Sequence, residues 1–193
     1  MPHCYVIAGG PSLRDFPFDQ LPAGYRIGAN LSGWLANCDA LVTLDRAMHR
    51  RNAEDLRKFK GQVYAGLKEH NIHEPIPNVN YWTFESGDGF STKPGFLSGS
   101  NSGFAAFNLA YLLGFTDIAL LGFDFQWIGG QHHWRDDYPS PGRRYHDQLC
   151  QWARAFDKPA AYLKAKGIRV TNFVGPSGSR VTAFPTAPLA ELL

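Results

Sequence analysis

The sequence predicts an α/β fold: a single Rossmann-like domain, residues 1–193, with a mainly parallel sheet flanked by helices. Three observations carry that expectation. Short apolar, β-prone runs alternate with segments of helical period along the chain. Two of those runs, Cys4–Ala8 and Ile118–Leu121, stop abruptly at glycine. The stretch from Ser102 to Leu113 is apolar nearly all round, as a helix packed against a sheet must be.

Taken in order, Cys4–Ala8 reads as a buried strand running into the turn Gly9-Gly10-Pro11-Ser12. Tyr25–Ala29 is a second strand, followed by Asn30-Leu31-Ser32-Gly33, and Ala40–Leu44 is a third, ending at Asp45. Met48–Phe59 mixes basic, acidic and apolar positions as a solvated helix does, and Gln62–Leu67 and Val79–Phe84 read as further strands. Residues 85–100 are rich in Gly, Ser, Thr and Pro and read as a long loop, a length that favours a lid or binding role. Asn101 or Ser102 caps the apolar helix, and Gly114 terminates it. Ile118–Leu121 is a central strand ending in Gly122-Phe123-Asp124, and residues 126–144 are a second irregular stretch. From Tyr145 a helix presents Tyr145, Leu149, Trp152 and Phe156 on one face, with a break expected at Pro159. Ile168–Val174 is the last strand, and the tail from Gly175 has Gly, Pro and Ser early and a weakly apolar end.

Composition narrows the function classes. Nineteen Lys+Arg against seventeen Asp+Glu leave a formal charge of +2, too little for bulk nucleic-acid binding. Three cysteines without a CxxC pair exclude a disulfide framework and suit a reducing compartment. No basic-then-apolar leader opens the sequence and no run is long enough to span a bilayer, so the expected setting is cytoplasmic, with an oligomer open. Aromatics reach 14%, a surplus that either fills the core or lines a site for planar or sugar-like ligands.

In an open parallel sheet, ligands bind beyond the carboxyl ends of the strands. Those ends supply Gly9, Gly10 and Ser12, then Asn30, then Asp45, then Ser102 and Gly103, and finally Asp124. Glycine lets backbone N–H groups approach a phosphate, and a helix N-terminus favours its charge. The first turn is neither GxGxxG nor GxxxxGK[ST], which argues against NAD-type and P-loop sites. Asp45 and Asp124 suit a ribose hydroxyl, a Mg²⁺ ion or neighbouring backbone donors. His70, His73 and Glu74 lack a zinc-enzyme spacing and read as a surface loop, so no metal set is assigned. His132, His133 and His146 lie in or beside an aromatic-rich stretch with Trp127, Trp134, Tyr138 and Tyr145, where stacking and acid/base groups coincide; the competing reading is a loop whose Trp residues pack back on the sheet. Arg143-Arg144 is either an anion clamp or solvated surface, and no serine stands in a GxSxG elbow.

Val6-Ile7-Ala8-Gly9-Gly10-Pro11-Ser12-Leu13 resembles the G-x-G-P-S-L opening of family-42 sialyltransferases and the wider DUF115 group of Maf- and MptE-like proteins. The resemblance continues through Arg26–Asn30, through Ser102-Gly103 to Leu113-Gly114-Phe115, through Asp117 to Phe125, and into Ile168–Phe184 with Asn172, Ser177 and Ser179. It departs at Gly9 and Asp45, where the family carries Asn, and at about Gln126 and His132, where the sialyltransferases carry Tyr. The resemblance implies a glycosyltransferase that takes a sugar from a nucleotide-activated donor, CMP-linked in the sialyltransferases, to an acceptor hydroxyl. Ser12, Asn30, Ser102 and Gly103 would hold the nucleotide, and His133 or His146 would be the general base. The loops at 85–100 and 126–144 would close over the substrates. No cofactor beyond the donor is implied, although Mg²⁺ has possible ligands. Two alternatives stay open: a Mg²⁺-dependent pyrophosphokinase of the DUF115 type, and a catalytically degenerate module that binds a nucleotide or a protein.

Overall fold

In the computed structural model, β1 (His3–Ile7) runs parallel to two strands distant from each other in sequence, β2 (Tyr25–Ala29) and β7 (Asp117–Leu121). The structure describes residues 3–66, 75–86, 89–136 and 145–193. Beyond β2 come β3 (Ala40–Thr43), β4 (Gln62–Gly66), β5 (Val79–Ser86) and β6 (Phe96–Gly99). Beyond β7 come β8 (Arg169–Val174) and β9 (Thr186–Pro188). The order β6-β5-β4-β3-β2-β1-β7-β8-β9 is parallel throughout. This is the Rossmann-like α/β architecture that the alternation of elements predicts, with its reversal of winding between β1 and β7.

Among the described residues six α-helices connect the strands: α1 (Ser32–Leu35), α2 (Arg46–Arg51), α3 (Ala53–Lys58), α4 (Ser102–Leu112), α5 (Tyr145–Arg154) and α6 (Asp157–Ala165). Helix α4 crosses β1, β2 and β3 and is buried from Ser102 to Ala110, which accounts for its all-round apolar sequence. Asn101 caps it, its Oδ1 accepting the Phe104 N–H at 3.0 Å, and Gly114 leaves it at φ +86°. On this face Phe156 touches the rings of Phe104, Phe107, Phe123, Phe125 and Phe184, with centroids 4.9 to 6.4 Å away. Much of the aromatic surplus is therefore core. The opposite face is covered by Leu13, Phe18 and Leu21 and by Leu189 and Leu192 of the C-terminal turn. All three cysteines are free thiols. Among the described residues, no helix is long and apolar enough to cross a membrane.

Four local expectations are corrected. The single helix over Met48–Phe59 is two, broken at Asn52, whose Nδ2 donates to Met48 O at 2.9 Å. The helix break expected at Pro159 occurs slightly earlier, between Arg154 and Asp157, and Pro159 itself sits in the first turn of α6, where its missing N–H has no intrahelical partner to lose. The tail contributes an edge strand, β9. Most consequentially, residues 85–100 are not one long loop. Glu85 and Ser86 extend β5, and Phe96–Gly99 is its parallel neighbour β6. The buried Asn108 of α4 fastens this region: its Oδ1 accepts the N–H groups of Ser91 and Ser98 at 3.3 and 3.0 Å, and its Nδ2 donates to Ser91 O at 2.8 Å.

Candidate functional site

The reversal of winding leaves a crevice at the carboxyl ends of β1, β2 and β7. A cavity of about 200 Å³ lies there, walled by Gly9, Gly10, Asn30, Ser102, Gly103, Gly122, His132, His133 and the α5 side chains Tyr145, Leu149 and Trp152. No described residue from 85–100 lines it.

The close approach of the β1 and β7 turns requires glycine. Gly10 N–H bonds Gly122 O at 2.8 Å, and a Cβ on Gly10 would run into both that carbonyl and the Asp124 carboxylate. At Gly9 the constraint comes from the site itself: a Cβ there would lie 2.6 Å from His133 Nε2. Asn30 stands at φ +53°, the left-handed region Asn tolerates, with its N–H on Val42 O at 2.9 Å. Its Oδ1 is buried without a hydrogen-bond partner, an acceptor left for a ligand. Ser102 begins α4 at the cavity wall, and its Oγ accepts the Leu44 N–H at 3.0 Å, joining the end of β3 to the helix N-terminus.

The expected irregular stretch after Asp124 opens with an ordered device. Ile128 and Gln131 exchange backbone bonds at 2.7 and 3.0 Å across Gly129 and Gly130, both at positive φ (+57° and +79°). A two-residue hairpin of this kind needs residues free to adopt positive φ at both positions. The Gly-Gly pair between Ile128 and Gln131 is the sequence signal that reading the stretch as irregular missed. The hairpin sets Trp127 opposite His132, with ring centroids 4.7 Å apart, and His132 also meets the Tyr145 ring at 5.0 Å. Burial among these rings pulls the His132 imidazole below its ordinary pKa, so the ring is neutral at pH 7. His133 differs: its Nδ1 accepts the Arg135 N–H at 3.1 Å, which leaves Nε2, beside Gly9, as the protonated nitrogen of the neutral ring.

Several expected residues lie elsewhere. Asp45 caps α2, its carboxylate accepting Ala47 and Met48 N–H at 2.7 and 3.1 Å, outside the cavity wall. Asp124 is 1% exposed beneath the β1 turn and accepts the Ser12 N–H at 2.8 Å; neither it nor Ser12 lines the cavity. Trp134 packs back on the sheet, its Nε1 donating to Ser32 Oγ at 3.2 Å. His146 is on the exposed side of α5, one residue past Tyr145 and so about 100° round the helix from the cavity-facing row. Tyr138, Arg143, Arg144, His70, His73 and Glu74 fall outside the described residues. Among the described residues, no three His, Cys, Asp or Glu side chains converge as a metal set. Sequence reasoning set Trp127 and Tyr145 beside the histidines but missed Gln131, Leu149 and Trp152 as walls of this region.

No protein-family model and no curated protein sequence matches the chain. Two solved structures share its fold. One is the sialyltransferase CstII from Campylobacter jejuni, in complex with the substrate analogue CMP-3FNeuAc: 13% identity, TM-score 0.58, covering 97% of this chain and 87% of that one. The other is the MAf glycosyltransferase from Magnetospirillum magneticum AMB-1: 16% identity, TM-score 0.61, covering 98% of this chain but 33% of that one. The architecture is thus one that glycosyltransferases use.

Proposed function

We propose that this protein is a glycosyltransferase that takes a sugar from a nucleotide-activated donor held in the β1–β2–β7 cavity and delivers it to an acceptor hydroxyl. One observation carries the reading: the N-terminus of α4, the Gly9-Gly10 turn and two chemically distinct histidines share one cavity at the reversal of the sheet. A nucleotide phosphate suits the α4 N-terminus, where backbone N–H groups and the helix dipole favour negative charge. Asn30 Oδ1 is an acceptor suited to a base amine or a ribose hydroxyl. His133, with its proton on Nε2, is a donor for the leaving phosphate, and His132, neutral, is the base. The acceptor oxygen uses a lone pair to bond the anomeric carbon as the bond from that carbon to phosphate oxygen breaks. The electron pair leaves with the phosphate, and the hydroxyl proton goes to His132. His146 is not given this role because it is exposed and absent from the cavity wall. Kinship with the DUF115 group is supported by the Gly-Pro-Ser-Leu turn after β1.

Thermal unfolding with CMP, UDP, GDP, ADP and ATP, each with and without Mg²⁺, tests the reading. A nucleotide at a hundred times its Kd stabilises a fold by about 2.7 kcal/mol. Stabilisation by CMP or a nucleoside diphosphate is expected, and His132→Ala is expected to slow donor consumption about 10²-fold or more. Silence from every nucleotide overturns the proposal. A response to ATP–Mg²⁺ alone also overturns it and points to diphosphate transfer.

A further inference from the structure

Resting on that reading of the cavity, we infer that the acceptor is a saccharide and that one of its rings binds in a second, smaller cavity on the far side of the histidine pair. This cavity, of about 180 Å³, lies beneath the Gly129-Gly130 hairpin and shares His132 and His133 with the first. A histidine common to two adjoining cavities has reach to groups held in both, which is the geometry transfer between two bound molecules requires.

The walls of the second cavity define its ligand chemistry. Trp127 lines it and is 42% exposed, the most solvent-open large ring among the described residues. Because Trp127 is held opposite His132 by the hairpin, its ring is already fixed and loses little freedom on binding. A broad aromatic face beside solvent suits a ligand with an apolar C–H face and a polar rim, which a pyranose has and an aliphatic chain lacks. The polar partners complete the match. Gln131 Oε1 is buried without a hydrogen-bond partner, an acceptor for a hydroxyl, while its Nε2 donates to Asp136 Oδ1 at 2.6 Å. Arg14 reaches the same Asp136 oxygen at 2.6 Å, so the carboxylate that steadies Gln131 is itself anchored to the β1 turn. The volume accommodates about one ring, with the rest of a glycan left in solvent. Such a ring, lying on Trp127, presents a hydroxyl to the neighbouring His132.

The test is ligand-observed saturation-transfer NMR with the methyl glycosides of galactose, glucose, mannose and N-acetylglucosamine, run with and without CMP. A serine tripeptide serves as the alternative acceptor. At least one glycoside is expected to show saturation, and Trp127→Ala and Gln131→Leu are each expected to weaken it about tenfold. Both variants are expected to leave nucleotide-induced stabilisation unchanged. Absence of signal from all four glycosides, a signal indifferent to Trp127→Ala, or a Trp127-dependent signal from the tripeptide alone overturns the inference. Because nucleotide stabilisation is read separately, failure of the donor reading is recognised independently of the glycoside result.

Discussion

Ser12 donates its backbone N–H to Asp124 at 2.8 Å, joining residues 112 apart in the chain and tying the turn after β1 to the turn after β7. Burial pushes the Asp124 carboxyl above its ordinary value of 3.8, with the Ser12 donors pulling it part of the way back. With the folded value raised, the unfolded chain loses this proton first as pH rises. The group's contribution to stability is therefore full below about pH 3.8 and declines as pH rises through the folded value. Asp124→Asn keeps an acceptor for Ser12 without a buried charge and is expected to match or exceed the parent in urea at pH 7. Asp124→Ala, which strands the Ser12 N–H, is expected to lose about 1–3 kcal/mol.

The hairpin at Gly129-Gly130 gives a graded test. Gly129→Asn is expected to preserve function, since Asn tolerates positive φ in such turns, whereas Gly129→Val is expected to disrupt the Trp127–His132 pair. Tryptophan fluorescence and transfer rate should change together in the valine variant and stay near the parent in the asparagine variant.

A neutral His132 fixes the direction of a pH profile. Its pKa is lowered from 6.5 by burial, so the proposed base would stay unprotonated where a solvent-exposed histidine is already protonated. The acid limb of kcat/KM is expected below pH 6.5 and should be absent from the residual rate of His132→Gln. The same shift makes the native state less stable as pH falls below about 6.5, because the unfolded chain takes up the proton first.

Gly9 separates folding from binding. Gly9→Ala pushes a methyl into the His133 ring while leaving the backbone in an ordinary region. Nucleotide affinity is expected to fall about tenfold. Circular dichroism should show an intact sheet, and His133→Ala in the same chain should restore part of the binding.

Asn108 is the polar anchor of the β6 side. Asn108→Leu removes the acceptor for two buried N–H groups and is expected to cost about 2 kcal/mol or more, seen as a lower urea midpoint at unchanged slope. From α4 only Ser102 and Gly103, at its N-terminal end, line the cavity, so nucleotide affinity per folded molecule should not change.

How far the sequence was readable follows from where each signal originates. The central strands announce themselves because both faces are buried, so Cys4–Ala8 and Ile118–Leu121 read as continuous apolar runs closed by glycine. The edges do not. Phe96-Leu97-Ser98-Gly99 and Thr186-Ala187-Pro188 are too short and too polar for a periodicity to show. Within the cavity, Gly9, Gly10, Asn30, Ser102 and Gly103 were legible because they follow strand ends or open a helix. Asp45 and Asp124 share that position but are taken up by backbone donors, which only tertiary structure decides. His132 and His133 are adjacent in sequence, and what distinguishes them is a hairpin and one bond from Arg135 N–H.

The position of β1 between β2 and β7 has a bearing on synthesis. Strand β1 leaves the ribosome well before β7, so the edge it shares with Asp117–Leu121 stays unpaired until that strand has been made. A chain halted earlier would carry the Gly9-Gly10 turn with no wall across from it and an apolar edge open to its neighbours. The crevice between β1 and β7 is therefore assembled late, from pairings far apart in the chain, and such pairings close slowly. A nascent chain of this protein is most in need of protection just before it becomes able to bind anything.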